Sequence, residues 1–355
     1  MDALAIIKYC CAAAAGAWAA LLINGSFARR RGLAPLRPLR ILITGAAGHI
    51  GYALAPLIAR GQMCGPQQQV ILRMHDREQA AQNLAAVQME LDDLASDLLL
   101  GTEVSHDLEE ACKDVDIAVL LSGLPPRRSM EDFFAQSREM YSVIGRALND
   151  HASQHVKVVI VPQPASAGAA AVRASAPRLA PQNITVLSRL AHNRLIQQVA
   201  DPLAIHSSEV SNVIVWGNPT STSALDVLHG TVRRGLRVVP VQNCVDDELV
   251  QIMSQAVRER TTAIVQARNL TPALSVAGAI CDHFHDWLLG TPEGTWVSMG
   301  VASDGSYGVP ENLYFSFPVT CRNNQWHIVQ GLPVGKDLED QLQACIQEAE
   351  KEQQH

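Results

Sequence analysis

The chain has 355 residues, 48% of them hydrophobic and 18% charged, with a net charge of −7. It is long enough for one large domain or two ordinary ones around a substantial core, and its balance excludes a disordered, coiled-coil or collagen-like chain. The acidic charge, with no run of Lys/Arg in the body, argues against a general nucleic-acid binder; the eight cysteines include no C-x-x-C pair, so no metal site is expected and scattered thiols suit a reducing compartment.

Residues 1–39 form a leader or extension. Ala3 to Ile23 is apolar and Ala-rich, interrupted by Lys8, and Arg29-Arg30-Arg31, Arg37 and Arg40 follow. A signal anchor needs about 20 apolar residues, which this stretch barely supplies. A transit peptide is Arg-rich and acid-poor, and only Asp2 is acidic here. An unstructured extension is the preferred reading. The expected location is the cytoplasm, with a mitochondrial or membrane-anchored chain, through residues 1–40, as the alternatives.

Folding begins near Leu39. Arg40-Ile41-Leu42-Ile43-Thr44 reads as a short buried strand, followed at once by Gly45-Ala46-Ala47-Gly48-His49-Ile50-Gly51. Tyr52 to Ala59 then reads as helix, with Pro56 expected in its first turns. Strand, glycine turn and helix in this order make a dinucleotide-binding start. Gly45 allows the tight turn and Gly48 the approach of the pyrophosphate. Ile50 belongs to the same loop, and the small residue at Gly51 lets helix pack on strand. A second strand, Val70 to His75, ends at Asp76. An acid there accepts from the adenosine ribose hydroxyls and repels a 2′-phosphate, so NAD is the expected cofactor.

Asp116 to Ser122 and Lys157 to Val161 read as further strands, separated by a helix over Glu131 to Asp150. This alternation predicts an α/β fold with a Rossmann doubly wound parallel sheet over residues 40–188. Residues 189–355 read as an α+β substrate domain. It contains a strand over Val210 to Trp216, helices over Asp246 to Asn269 and Thr271 to Leu289, and strands near Trp296 to Ala302, Tyr314 to Val319 and His327 to Val329. A charged helix, Lys336 to Glu352, closes the chain.

Several long strings resemble the malate dehydrogenase family, specifically its cytosolic-type branch. They are Gly45-Ala46-Ala47-Gly48-His49-Ile50, Met89-Glu90-Leu91-Asp92-Asp93, Arg189-Leu190-Ala191-His192-Asn193-Arg194, Val213-Ile214-Val215-Trp216-Gly217-Asn218 and Ala279-Ile280-Cys281-Asp282-His283. Gly290-Thr291-Pro292-Glu293-Gly294 continues through Val297-Ser298-Met299-Gly300-Val301 to Tyr307-Gly308-Val309-Pro310. The resemblance covers the chain from about residue 40 onward. It implies the lactate/malate-dehydrogenase type of C-terminal domain, NAD, a usually dimeric assembly and the malate–oxaloacetate reaction.

That reaction needs a proton donor for the nascent alkoxide, a carboxylate that orients the donor, and arginines that clamp the substrate carboxylates. The resemblance puts the donor His after Trp-Gly-Asn, where this chain has Pro219. It puts the carboxylate between Arg-Leu and His-Asn-Arg, where this chain has Ala191. Arg194 matches the family's carboxylate-binding arginine, and Arg127 or Arg128 stands for the first mobile-loop arginine. The next family arginine is replaced by Glu131-Asp132-Phe133-Phe134, and a Gly-Asn-Pro by Pro162-Gln163-Pro164. Losing both members of the acid–base pair avoids leaving one buried carboxylate unpaired.

His192 adjoins the vacated acid position, yet the family carries a His there without a proton-transfer role. His206, His229 and His283 read as surface or satisfied core groups, Cys281 as a small core hydrophobe, Ser275 as a pocket wall, and Asp304 and Glu311 as solvated loop acids. Three functions follow. The preferred one is a pseudoenzyme that keeps NAD and has little or no malate turnover. The second is a dehydrogenase acting on another 2-oxo or 2-hydroxy acid with an unrecognised donor, Arg194 and the pair Phe133-Phe134 lining its pocket. The third is a structural dimerisation partner without nucleotide, against which Gly45, Gly48 and Asp76 count. A homodimer, or a heterodimer with a related active subunit, is expected.

Overall fold

The computed structural model describes residues 37–121, 129–161, 164–218 and 222–354. The leader up to residue 36, Arg127 and Arg128, Pro162 and Gln163, and Pro219 lie outside the described residues.

Six parallel strands form the first part of one large sheet. They are β1 (Leu39–Thr44), β2 (Val70–His75), β3 (Leu99–Ser105), β4 (Ile117–Leu120), β5 (Lys157–Ile160) and β6 (Ile184–Val186), in the spatial order β3-β2-β1-β4-β5-β6. Helices connect them: α1 (His49–Ala59), α2 (Ala81–Asp93), α3 (Leu108–Cys112), α4 (Met130–His151) and α5 (Ala165–Ser175). Alternate residues of each strand serve opposite faces. Ile41, Ile43, Ile117 and Val119 join the layer that includes Leu54 and Ile58 of α1, while Leu42, Ala118 and Leu120 join the layer that includes Tyr141 of α4 and Val172 of α5.

The chain then runs through α6 (Arg189–Leu203), β7 (Val210–Ser211), β8 (Ile214–Trp216), β9 (Ala224–Asp226), β10 (Thr231–Arg234), β11 (Arg237–Pro240), α7 (Asp247–Arg268) and α8 (Ala273–Leu289). It ends with β12 (Val297–Ala302), β13 (Tyr314–Arg322), β14 (Gln325–Ile328) and α9 (Lys336–Gln354). β12 joins the large sheet antiparallel to β6, at Gly300 opposite Val186, and β13 and β14 extend it to nine strands.

Several sequence expectations shift. α1 starts three residues earlier than Tyr52, so Pro56 lies in the helix interior rather than its first turns. The strand expected over Val210 to Trp216 is two short strands in different sheets, β7 against β10 and β8 against β9. Asn212 breaks it in the left-handed region at φ 65°, its amide accepting from the Trp296 N–H at 3.0 Å and donating to the Gly294 carbonyl at 3.2 Å. α7 starts after Asp246, which caps it by accepting from the Leu249 N–H at 2.9 Å. α8 starts at Ala273, after Pro272, rather than at Thr271.

Candidate functional site

The carboxyl ends of β1, β2 and β4 lie level: Thr44 is opposite His75 on one side and Leu120 on the other. This is where the strand order reverses direction, the place where open α/β sheets bind ligands. Thr44 is fully buried, and its hydroxyl accepts from the Leu121 N–H at 3.1 Å.

From that edge the chain turns at Gly45, whose φ of 67° lies in the left-handed region. Three backbone N–H groups then fix the loop: Ala46 donates to the His75 carbonyl (3.2 Å), Ala47 to Asp76 Oδ2 (3.0 Å) and Gly48 to the Gly45 carbonyl (3.1 Å). A Cβ at Gly51 would fall 2.5 Å from the Ala46 carbonyl oxygen, so this position admits only hydrogen. No side chain caps the start of α1 and its first turn holds no acid, leaving its leading N–H groups and positive dipole end for an anion.

A cavity of about 480 Å³ opens on this loop. Its lining includes Gly45, Gly48, Ile50, Asp76 and His75, with Val143 of α4 among its apolar walls. Asp76 accepts from the Arg77 N–H at 2.8 Å as well as from Ala47. Burial pushes the His75 imidazole below its usual range, so the ring is neutral. Glycine cradle, uncapped helix start and strand-end acid together fit a dinucleotide, for which Gly45, Gly48 and Ile50 would line the phosphate side, with Gly51 behind them, and Asp76 would receive the ribose.

The second group of expected residues lies on α6. Arg189 pairs with Asp286 and donates to Asn193 Oδ1 at 2.9 Å; Asn193 in turn donates to Asp282 Oδ2 at 2.6 Å. These links fasten α6 to α8. Ala191 is half-buried and packs against the cluster of Leu195, Val199 and Val215. His192 turns the other way. It is buried, bonds Ser298 Oγ at 3.0 Å, and burial holds it well below its ordinary range.

Arg194, one turn after Ala191, donates through Nη1 to Thr261 Oγ1 of α7 at 2.9 Å, while its buried Nη2 has no partner. It lines a second cavity, of about 390 Å³, with Arg260, Ser275 and Asp282. Burial and the nearby Arg260 charge both weaken the hold of Arg194 on its proton. Two guanidinium groups, one with an unsatisfied buried donor, thus share this cavity with the carboxylates of Asp201 and Asp282.

The remaining singled-out groups serve structure. His283 is buried, bonds Thr185 Oγ1 at 2.9 Å and is pushed down to about 3 by burial. His229 pairs with Asp226 at 2.6 Å, and His206 caps the turn over Ser207–Glu209. Cys281 is a core thiol, pushed up to about 12 by burial. Phe133 is buried in the first turn of α4, its ring edge-on to Phe134 at 5.9 Å. Among the described residues no group of three His, Cys, Asp or Glu could hold a metal ion, and no helix is long and apolar enough to cross a membrane.

One group escaped the sequence reading. Asn218, the last described residue before Pro219, is buried, and its amide donates to the carboxylate of Glu352 in α9 and accepts from Ser166 of α5. A Glu in a charged terminal helix reads as solvated. The signal lay in spacing: Leu342, Cys345 and Ala349 form the buried stripe of α9, and Glu352 is its next step.

Two family models match the chain: the lactate/malate dehydrogenase NAD binding domain over residues 39–185 and the lactate/malate dehydrogenase alpha/beta C-terminal domain over residues 188–355. Cytoplasmic malate dehydrogenase of Medicago sativa is 46% identical over 319 residues, covering 89% of this chain and 96% of that protein. The chain belongs to the malate dehydrogenase family. Malate dehydrogenase 3, cytoplasmic, of Arabidopsis thaliana is 45% identical over the same share of this chain and 94% of its own length. Among solved structures, malate dehydrogenase from Naegleria fowleri superposes with a TM-score of 0.85 at 32% identity, covering 90% of this chain and 98% of its own. Trichomonas vaginalis lactate dehydrogenase in complex with NADH and oxamate gives 0.84 at 30% identity, over 89% and 97%. The Rossmann sheet, the family's C-terminal domain and an NAD binding domain are therefore those expected from the sequence.

Proposed function

We propose that this malate dehydrogenase family member binds NAD and has little or no malate–oxaloacetate turnover. The observation that carries this reading is Ala191. One turn before Arg194, where the family resemblance puts a carboxylate, α6 presents a methyl group packed on an apolar cluster. The adjacent imidazole, His192, is committed to Ser298 in the core and held neutral. The other family position for the acid–base pair is Pro219, which carries no titratable group. Disabling the acidic partner of a catalytic His costs about 10⁴ in rate, which corresponds to about 5.5 kcal/mol of barrier.

NAD, when bound, supplies the hydride exchange with a hydroxy or oxo acid. What this chain's residues supply is binding: the Gly45–Ile50 loop and the start of α1 for phosphate, Asp76 for ribose, and Arg194, with Arg127, for a substrate carboxylate. In this reading residues 40–188 form the nucleotide half and 189–355 the substrate half, and the chain works in the cytoplasm as a homodimer or as a heterodimer with a related active subunit. Its role is association or regulation through a ligand-loaded fold.

The test is a pair of measurements on the purified chain. Titration with NADH gives saturable fluorescence enhancement, while NADH oxidation with oxaloacetate or a panel of other 2-oxo acids stays at background. Turnover at the rates of active relatives overturns the reading. The double variant Ala191→Asp with Pro219→His then regains oxaloacetate reduction if the rest of the pocket is preserved.

A further inference from the structure

α9 docks closely on the segment that leads to Pro219. A Cβ at Gly217 would lie 2.8 Å from Cys345 Cβ, and the Cys345 thiol donates to the Thr222 carbonyl at 3.2 Å. One side chain at the far end of this contact is polar. Glu352 is 8% exposed, its carboxyl accepts from the Asn218 amide, and the Ala167 backbone N–H in the first turn of α5 favours its ionised form. Ser166, the residue before Ala167, bridges Asn218 Oδ1 and the Tyr314 carbonyl, the latter at 3.0 Å. Three separate elements therefore meet at one carboxyl: the last turn of α9, the start of α5 just after residues 162–163, and the end of β8 just before Pro219.

We propose that Glu352 is a proton-operated latch: with its carboxyl neutral, the last turn of α9 holds Asn218 and the start of α5 together, and ionisation of the carboxyl favours release of that turn.

The surroundings determine the direction. Glu348 lies one turn earlier on α9 and adds like charge; the Tyr141 phenol of α4 is within reach of the Glu352 charge and is pushed far up by burial. The Asn218 amide and the Ala167 N–H favour the ionised form, and among the described residues no cation acts on it. Burial and Glu348 outweigh the two donors and raise the carboxyl from 4.5 to about 7. A group whose pKa is raised in the docked state stabilises docking fully below its free value and loses that contribution as pH rises through the docked value. Docking is therefore firmest in acid and weakest above pH 7. With those two values, the equilibrium for release of α9 shifts by about tenfold between pH 6 and pH 8.

Hydrogen–deuterium exchange on the full chain, without nucleotide, tests the latch independently of any dehydrogenase activity. After correction for intrinsic rates, amides in the last turns of α9 and the first turn of α5 exchange about tenfold faster at pH 8 than at pH 6. In Glu352→Gln, which keeps the shape without the titration, this pH dependence disappears. In Glu348→Gln, which keeps Glu352 but removes the like charge, the midpoint moves to lower pH. Flat protection in the wild-type chain overturns the proposal. So does an unchanged pH response in Glu352→Gln, or, should that variant not fold, an unmoved midpoint in Glu348→Gln.

Discussion

The Asp76 carboxylate does two things with one group. Its oxygens accept from the Ala47 and Arg77 N–H groups, which pins the glycine loop to the end of β2, and the same carboxylate faces the nucleotide cavity. An Asn in its place offers one acceptor and turns an NH₂ toward a backbone donor. Hydrogen bonds to a charged group are worth about 1.5–3 kcal/mol, so Asp76→Asn weakens NADH binding about 10- to 100-fold by fluorescence titration. Unchanged affinity would show that the loop holds without it. The place of Asp76 at the cavity was legible, because an acid at the end of a second strand has a known spacing. Its grip on the loop was not, since backbone amides leave no mark in a residue code. Glu352 was hidden for a different reason: its formal charge masked its place on a helical stripe.

At the scale of elements, Asn212 shows where local pattern reading fails. Val210 to Trp216 is apolar and β-branched enough for one strand, and only the left-handed residue in its middle separates it into two. That residue also receives the Trp296 N–H and donates to Gly294, tying the β7–β8 corner to the approach to β12. Asn212→Ala removes two hydrogen bonds of about 1 kcal/mol each and leaves a β-carbon in a conformation costing about 1–2 kcal/mol. Urea denaturation is therefore expected to show a loss of about 3–4 kcal/mol, with NADH affinity preserved because neither Asn212 nor its partners Gly294 and Trp296 line the nucleotide cavity. A midpoint equal to wild type would refute this account. β3 escaped the sequence reading because most of its residues are only partly buried and Gly101 interrupts its pattern. β10 and β11 were hidden by exposed arginines at positions 233, 234 and 237.

Across the whole molecule, the alternation of strand and helix could be read directly at β1, α1, β2, β4, α4 and β5, and so could the helical pair α7 and α8, whereas β6, three residues long, could not. The way β12 to β14 attach could not, because strand pairing between distant segments depends on register rather than composition. The attachment is narrow: Gly300 sits opposite Val186, and a Cβ there would lie 2.7 Å from Val186 Cβ and 2.9 Å from its carbonyl oxygen. Gly300→Ala forces the two strands apart at their one pairing point and costs about 1–3 kcal/mol, read as a lower thermal midpoint; an unshifted midpoint would mean the seam yields freely.

The seam between β6 and β12 also sets the mechanics of the molecule. A flexible tether lets two lobes clap shut on a ligand, but here β6 and β12 belong to one nine-stranded sheet and meet where there is no room for a β-carbon, so this point resists sliding of one half over the other.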